Sequence, residues 1–471
     1  MLKFPNGITL IKKGSKVDCW LTNKLSSSQF TYQQILGMLF PLILDQFFIF
    51  FIGSLTNALI STSGEDSMAA VALVSPITMI AYSLFTAVSS GGTVIVAQYK
   101  GKGDEKLVKR AAGQVVLLTF IVATVSAVLL IVFATPLINL IFADATVGVK
   151  KKAVQFMIGF AISLPAFSIF NGIFSVLRGV GDTKTCLRLT IIINAIHLAA
   201  CYLFINLMRL DILGTALAFN VARGIGCIIA IMIIFSPKAI MTLTLKDIFR
   251  FDSKIDIPIV KMGVPFAIEQ IFFNLGRMLC QTYMVTLGTA AIAADAISAS
   301  VSNLFYGAGF GVTTLAITVI GQCIGAGDIE LTKKYSKRMI QLGTIVMTLS
   351  VLILYPLSPL LLNLFNPTAE ALPLIHTAIL IGVIPIPFFW SMSFVMPSTL
   401  RAVGDANFTS IICLMTMWIF RVGLGYLFAI TFKMGLNGIW ISMGLEWVAR
   451  SIIFYIRSRG TKWLTFKVIS E

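Results

Sequence analysis

The stretch Val96-Ala97-Gln98-Tyr99-Lys100-Gly101-Lys102-Gly103-Asp104 returns 224 residues later as Ile320-Gly321-Gln322-Cys323-Ile324-Gly325-Ala326-Gly327-Asp328, with Gln, two Gly and Asp in register. The same offset carries Pro41, Asp45 and Gln46 onto Pro265, Glu269 and Gln270, and Tyr202-Leu203-Phe204 onto Tyr426-Leu427-Phe428. Leu177-Arg178 with Val180-Gly181-Asp182 returns one residue closer, as Leu400-Arg401 with Val403-Gly404-Asp405. The chain is a duplication, and both copies are apolar. Of 471 residues, 57% are hydrophobic and 12% charged, and the mean hydropathy is +0.93. A soluble domain averages about 45–50% apolar and about 25% charged. The fold class is therefore an all-α polytopic membrane protein.

A crossing needs about 20 mainly apolar residues. Twelve stretches qualify, near 33–61, 69–99, 111–140, 153–176, 189–208, 214–236, 262–288, 293–322, 339–365, 372–400, 407–432 and 436–456. The expected order is an N-terminal cytoplasmic segment (1–32), an N-lobe of six helices (33–236), a cytoplasmic linker (237–261), a C-lobe of six helices (262–456) and a cytoplasmic tail (457–471). Six crossings end on the side where they began, so the copies enter the bilayer alike. The result is a parallel repeat about an axis along the membrane normal, a plan of secondary transporters in which two rocking lobes flank a cleft.

A net charge of +16 invites a nucleic-acid reading, but its distribution excludes one. With the N-terminus inside, 27 of 36 Lys and Arg fall in cytoplasmic segments, and only Lys150, Lys151, Lys152, Arg209 and Lys433 fall outside. That is the positive-inside bias of a cell-membrane protein with both termini cytoplasmic. The triple lysine is expected at the outer headgroup level. The first apolar stretch begins some thirty residues in and lacks the pattern of a cleaved leader. Seven scattered cysteines, without a CxxC pair or neighbouring histidines, indicate neither a disulfide framework nor a zinc site. Gly101-Lys102-Gly103-Asp104 and Gly325-Ala326-Gly327-Asp328 predict tight turns followed by Asp-capped helices. They follow membrane helices and lack a Gly-Lys-Ser/Thr, so they are not nucleotide cradles.

Five motifs in order resemble the multidrug and toxic compound extrusion (MATE) family of the larger flippase superfamily. They are Gly91-Gly92-Thr93 with Ala97-Gln98-Tyr99-Lys100-Gly101, Leu177-Arg178-Gly179-Val180-Gly181-Asp182-Thr183-Lys184, Gly321 to Asp328, Leu400-Arg401-Ala402-Val403-Gly404-Asp405, and Gly438-Ile439-Trp440. The resemblance spans residues 33–465. It implies a monomeric exporter of amphipathic, mainly cationic drugs, driven by inward flow of protons or sodium ions and needing no cofactor. The sequence departs from the family where relatives carry coupling carboxylates: those places hold Thr56, Leu198 and Phe273.

Eight ionisable residues other than histidine, cysteine and tyrosine lie within spans: Asp45, Glu269, Asp295, Glu446, Arg223, Arg277, Arg421 and Arg450. A charge at the bilayer centre costs about 2.5–3.5 kcal/mol on insertion scales, so each needs a cavity or a partner. Glu446 and Arg450, four apart, are expected to pair on one helix. Arg223 and Arg450 sit in similar Val-Ala-Arg strings, where pairing or snorkelling outweighs function. At the repeat offset Asp45 matches Glu269 and His197 matches Arg421. The ion-coupling candidates are therefore Asp45 with His197, and Glu269 with Arg421 or Arg277. Static tethering is the even alternative.

Gln270, Asn274, Arg277 and Gln281 line one face of the seventh span, Asp295 heads a shorter stripe on the eighth, and Gln46 and Asn57 mark the first. With Thr56 and Asn194 these are the substrate-binding candidates. Polar faces on membrane helices line water or a neighbouring helix, because lipid cannot satisfy them. Thirty-six Phe and nineteen Met supply adaptable walls, although packing explains most of them singly. Two other readings compete. A flippase for a lipid-linked or other large amphiphile shares the superfamily, but twelve spans and mixed charge favour the drug exporter. A membrane-embedded enzyme lacks its clustered carboxylates, and the chain has no Walker motif for an ATP-driven pump.

Overall fold

The computed structural model describes residues 14–61, 65–142, 146–237, 239–363, 365, 367–466 and 468–469. A short helix α1 (Lys16–Leu25), capped by Ser15, precedes the membrane helices. The first half then runs α2 (Tyr32–Ser61), α3 (Glu65–Lys102), α4 (Glu105–Val132), α5 (Ala134–Ile141), α6 (Val147–Val180), α7 (Thr183–Cys201) and α8 (Asp211–Ile234). After the linker helix α9 (Leu245–Phe249) come α10 (Ser253–Val285), α11 (Thr289–Gly325), α12 (Ile329–Asn363), α13 (Ala371–Val383), α14 (Ser391–Val403), α15 (Ala406–Thr416) and α16 (Leu436–Arg459). Among the described residues, eleven stretches are long and apolar enough to cross a membrane. The remaining span of the twelve is α10, which has the length but carries Lys261, Glu269 and Arg277.

The expected boundaries hold to within about ten residues, and the helices mostly run longer than their apolar cores. They extend because the turns stop them. Gly103 (φ 78°) and Gly327 (φ 77°) take the left-handed conformation that glycine adopts cheaply. Asp104 and Asp328 then accept from the backbone N–H of Leu107 (3.0 Å) and Leu331 (2.8 Å), which caps α4 and α12. The outer turn before α8 and α16 is also duplicated. Arg209 and Asp211 have φ of 50° and 53°, and their equivalents Lys433 and Gly435 have 54° and 58°. The offset of 224 therefore persists into the last helix of each half. Arg223 aligns with Trp447, and Arg450 with Gly226; the two Val-Ala-Arg strings are not equivalent.

Compactness does not follow chain order 33–236 and 262–456. One unit comprises the segment ending at Phe47 with Leu275–Val468, and the other comprises Phe48–Asn274. The chain changes unit inside α2 and again inside α10. Close approach explains both. A Cβ at Gly311 of α11 would lie 3.0 Å from the Ile43 backbone nitrogen of α2. A Cβ at Gly91 of α3 would lie 2.8 Å from the Ile259 carbonyl of α10, and one at Gly263 would meet Val88 Cα at 3.1 Å. Gly311 is the repeat equivalent of Ala87, so the same crossing is built twice.

Loops anchor each unit separately. Gln114 Nε2 on α4 donates to the carbonyls of Asp247 (3.2 Å), Ile248 (3.2 Å) and Arg250 (2.7 Å), holding the linker. Tyr335 on α12 donates to the Leu25 carbonyl (2.8 Å), and Arg338 donates to those of Asn23 and Ser26 (both 3.3 Å), holding α1. Lys152, from the triple lysine, pairs with Asp211 Oδ2 (2.7 Å) and donates to Ser67 Oγ (2.9 Å), while Ser67 donates to Asp211 Oδ1. That clasp joins the starts of α3, α6 and α8, and it gives the lysine a structural partner.

Candidate functional site

The unit containing α11–α16 concentrates its membrane charges around Arg421. Residues Met417–Leu424 form a π-helical turn after α15, and a second covers Leu427–Thr431. Such wide turns re-aim side chains and recur at functional sites. Arg421 Nε reaches Glu446 Oε2 at 2.6 Å, and Arg450 takes the other carboxylate oxygen, Oε1. Arg450 also donates to Thr416 Oγ1 (3.2 Å) and the Cys413 carbonyl (3.3 Å). Glu446 is 0% exposed, and two guanidinium groups meet its two carboxylate oxygens. The expected Glu446–Arg450 pair is present. Glu446 as partner of Arg421 is what the sequence did not disclose.

Close by on the same unit, Trp440 Nε1 donates to Asp295 Oδ1 (3.0 Å), tying α16 to α11. The positive charges of Arg277 and Arg421 both act on that carboxylate. Tyr283 of α10 donates to the Arg421 carbonyl (3.3 Å). An aromatic nest adjoins the cluster. Phe394 lies 5.9 Å from Trp447 and 4.8 Å from Trp390, and Tyr306 lies 5.7 Å from Trp447.

The other unit has different chemistry on the same backbone. At the repeat offset Asp295, Glu446 and Arg450 correspond to Val71, Ala222 and Gly226. Its own mid-membrane cation is Arg223, whose guanidinium lies 4.3 Å from the Phe167 ring and 4.7 Å from those of Phe160 and Phe219. Its Nη1 donates to Ser163 Oγ at 2.6 Å, and Ser163 donates onward to the Phe160 carbonyl (2.6 Å). Among the described residues no carboxylate pairs with Arg223; of the expected pairing or snorkelling, what is found is contact with ring faces and Ser163. Each cation–π contact contributes about 0.5–2 kcal/mol, enough together to offset insertion. His197 is buried, 4.8 Å from the Phe219 ring, with Cys201 Sγ at 3.6 Å from its Nε2.

The remaining candidates fall in several environments. Asp45 (0% exposed) and Glu269 (8%) are buried, each one turn past its helix proline. Asp45 belongs to the unit of α11–α16 and Glu269 to the other, as do His197 and the aromatic-ringed arginine. The proposed partners Asp45 and His197 thus belong to different units, as do Glu269 and Arg421. Thr56 is buried and Gln46 half-buried. The side chain of Asn57 lies outside the described residues. Asn194 and Asn274 donate from their side-chain amides to the carbonyls of Thr190 (2.8 Å) and Gln270 (2.9 Å), one turn back on their own helices. Gln270 is half-buried, whereas Arg277 and Gln281 are exposed. Among the described residues, no three His, Cys, Asp or Glu cluster as a metal site.

Comparison with known proteins places this geometry. The chain resembles the uncharacterized transporter YisQ of Bacillus subtilis (24% identity, covering 91% of this chain and 94% of that protein). It similarly resembles a probable multidrug resistance protein NorM of Thermotoga maritima (24% identity, 87% and 88%). A crystal structure of a MATE in the straight conformation superposes with TM-score 0.82 at 18% identity, covering 91% of this chain and 95% of that one. A MOP superfamily transporter from Pyrococcus furiosus matches as well, with TM-score 0.82 at 17% identity over 92% and 97%. The MatE family model matches twice, at residues 41–203 and 265–427, which are 224 residues apart at both ends. Together the two matches cover most of the chain, and the chain belongs to the MatE family.

Proposed function

We propose that this protein is a secondary active multidrug exporter of the cell membrane, exchanging amphipathic, mainly cationic drugs for protons or sodium ions by alternating access. The double family match on a duplicated set of membrane helices carries the reading. Relatives named as probable multidrug resistance proteins support drugs as the cargo. The chain acts as a monomer with both termini cytoplasmic. Coupling is assigned to the acids Asp45 and Glu269, which are buried and occupy equivalent positions of the repeat. Each acid sits one turn past a proline that removes a backbone hydrogen bond, so a change in its charge acts at a ready bend. His197 lies in the unit of Glu269 and is kept as a separate candidate of that unit.

The test is dye efflux from liposomes containing purified protein, driven in turn by a proton gradient and a sodium gradient. Ethidium extrusion under one gradient and not the other supports the reading and names the ion. Failure of both gradients to move any dye in a broad cationic panel rejects it.

A further inference from the structure

We propose that Arg223 and the rings around it form an anion-accepting subsite in the unit of α3–α8, one that takes the carboxylate or other acidic group of an aromatic amphiphile. The proposal rests on the exporter reading for its place on a substrate path, and it departs from that reading's mainly cationic cargo.

The protein holds the charge of Arg223 without quenching it. Its described hydrogen-bond partner, Ser163 Oγ, is neutral and occupies one of five guanidinium N–H donors. The Phe160, Phe167 and Phe219 rings steady the cation through their faces and leave its outer donors unoccupied by any described acceptor. Arg450 in the other unit is the contrast, because Glu446 neutralises it. The repeat equivalent of Arg223 is Trp447, so the duplicated backbone does not require a cation there.

Part of this cluster reaches the surface of its unit, although the guanidinium itself is desolvated. Arg223, Phe167 and Phe219 are only half-buried, and Tyr82, stacked at 5.7 Å on Phe167, is 36% exposed. The Phe219 ring is also 4.8 Å from His197, and among the described residues no carboxylate pairs with Arg223. A guanidinium fork matches a carboxylate bidentately, and the surrounding rings stack on an aromatic body. The pairing of a forked cation with ring faces therefore selects aromatic acids over aromatic bases.

The test uses three probes of one shape: 2-naphthoate, 2-naphthylmethanol and 2-naphthylmethylammonium, titrated calorimetrically into full-length protein in nanodiscs. Wild type is expected to bind 2-naphthoate at least tenfold more tightly than the alcohol. Arg223→Gln should collapse that preference to within twofold, Arg223→Lys should retain part of it, and Phe219→Leu should weaken acid and alcohol alike. Equal affinity of wild type for acid and alcohol overturns the proposal, as does an acid preference that survives Arg223→Gln. If Arg223→Gln does not fold, the wild-type ratio and Arg223→Lys decide. Gradient-driven ethidium efflux without acid preference removes the subsite and leaves the exporter. Acid preference without efflux of any probe does the reverse.

Discussion

Replacing Glu446 with Gln tests whether the Arg421–Glu446–Arg450 cluster is a tether or a moving part. The carboxylate is 0% exposed and meets both guanidinium groups, Arg421 at 2.6 Å. Glutamine keeps the shape and one acceptor oxygen but leaves two cations without a counter-charge. Breaking a buried pair by removing one partner costs about 3–5 kcal/mol. Domains of about 150–250 residues lose about 2–4 °C of Tm per kcal/mol, so the expected fall is roughly 6–20 °C. Arg450→Gln, which keeps one ion pair, should cost less, and the double variant should cost less than the sum because its residues share one network. Scanning fluorimetry in detergent measures all three. A fall below about 3 °C for Glu446→Gln, or strict additivity, would refute the tether, since a full loss of pairing is worth several kcal/mol.

Asp45→Asn is expected to abolish gradient-driven export, at least tenfold in liposomes, with the protein still folded in the membrane. Normal export by Asp45→Asn passes the role to Glu269. Asp256, outside the membrane and 4% exposed, has a carboxyl raised above its usual range by burial, eased by the Asp252 N–H and pushed further up by the Asp252 charge. The folded state thus binds this proton more tightly than the unfolded state, so wild-type stability declines as pH rises through the elevated value. Asp256→Asn should melt higher than wild type at pH 7 and alike below about pH 4, near the unfolded carboxyl pKa; an advantage that persists in acid contradicts the assignment. Gly91→Val should drive α3 from α10, since even a Cβ would approach the Ile259 carbonyl to 2.8 Å, and overpacking of this kind costs about 1–3 kcal/mol. An unshifted Tm would show that the crossing is loose.

What the sequence disclosed was local. The Gly103–Asp104 and Gly327–Asp328 turns were legible because a left-handed glycine and a capping aspartate act within four residues. Twelve spans were legible because bilayer thickness sets a length. The Glu446–Arg450 pair was legible because four residues make one helical turn. Arg421 with Glu446 was not, because the pair joins residues 25 apart through a π-turn that no helical period anticipates. The crossings at Gly91 and Gly311 were hidden for a similar reason. Gly91 read only as part of a motif, and its role in a close crossing shows once the chain is seen to change unit within α2 and α10. The similar Val-Ala-Arg strings turn out to lie out of register, three residues apart on the backbone that the turns at Asp211 and Gly435 align.

That register separates what the fold needs from what the chemistry adds. Both halves repeat their left-handed turns, their capping aspartates and their glycine crossing, so these features belong to the duplicated backbone. The charged groups of the membrane interior do not repeat in the same way. Asp295, Glu446 and Arg450 face Val71, Ala222 and Gly226 across the offset, and Arg223 faces Trp447. A fold that tolerates valine, alanine and glycine at these places does not require acids and arginines there. Keeping ionisable groups in a bilayer costs about 2.5–3.5 kcal/mol each on insertion scales, so they persist only where something offsets that burden. In the unit of α11–α16 Glu446 pairs with both Arg421 and Arg450. In the unit of α3–α8 aromatic faces hold one arginine whose charge stays available. The asymmetry between the halves is thus chemical and not architectural, and the charge left available marks where an anionic partner is expected.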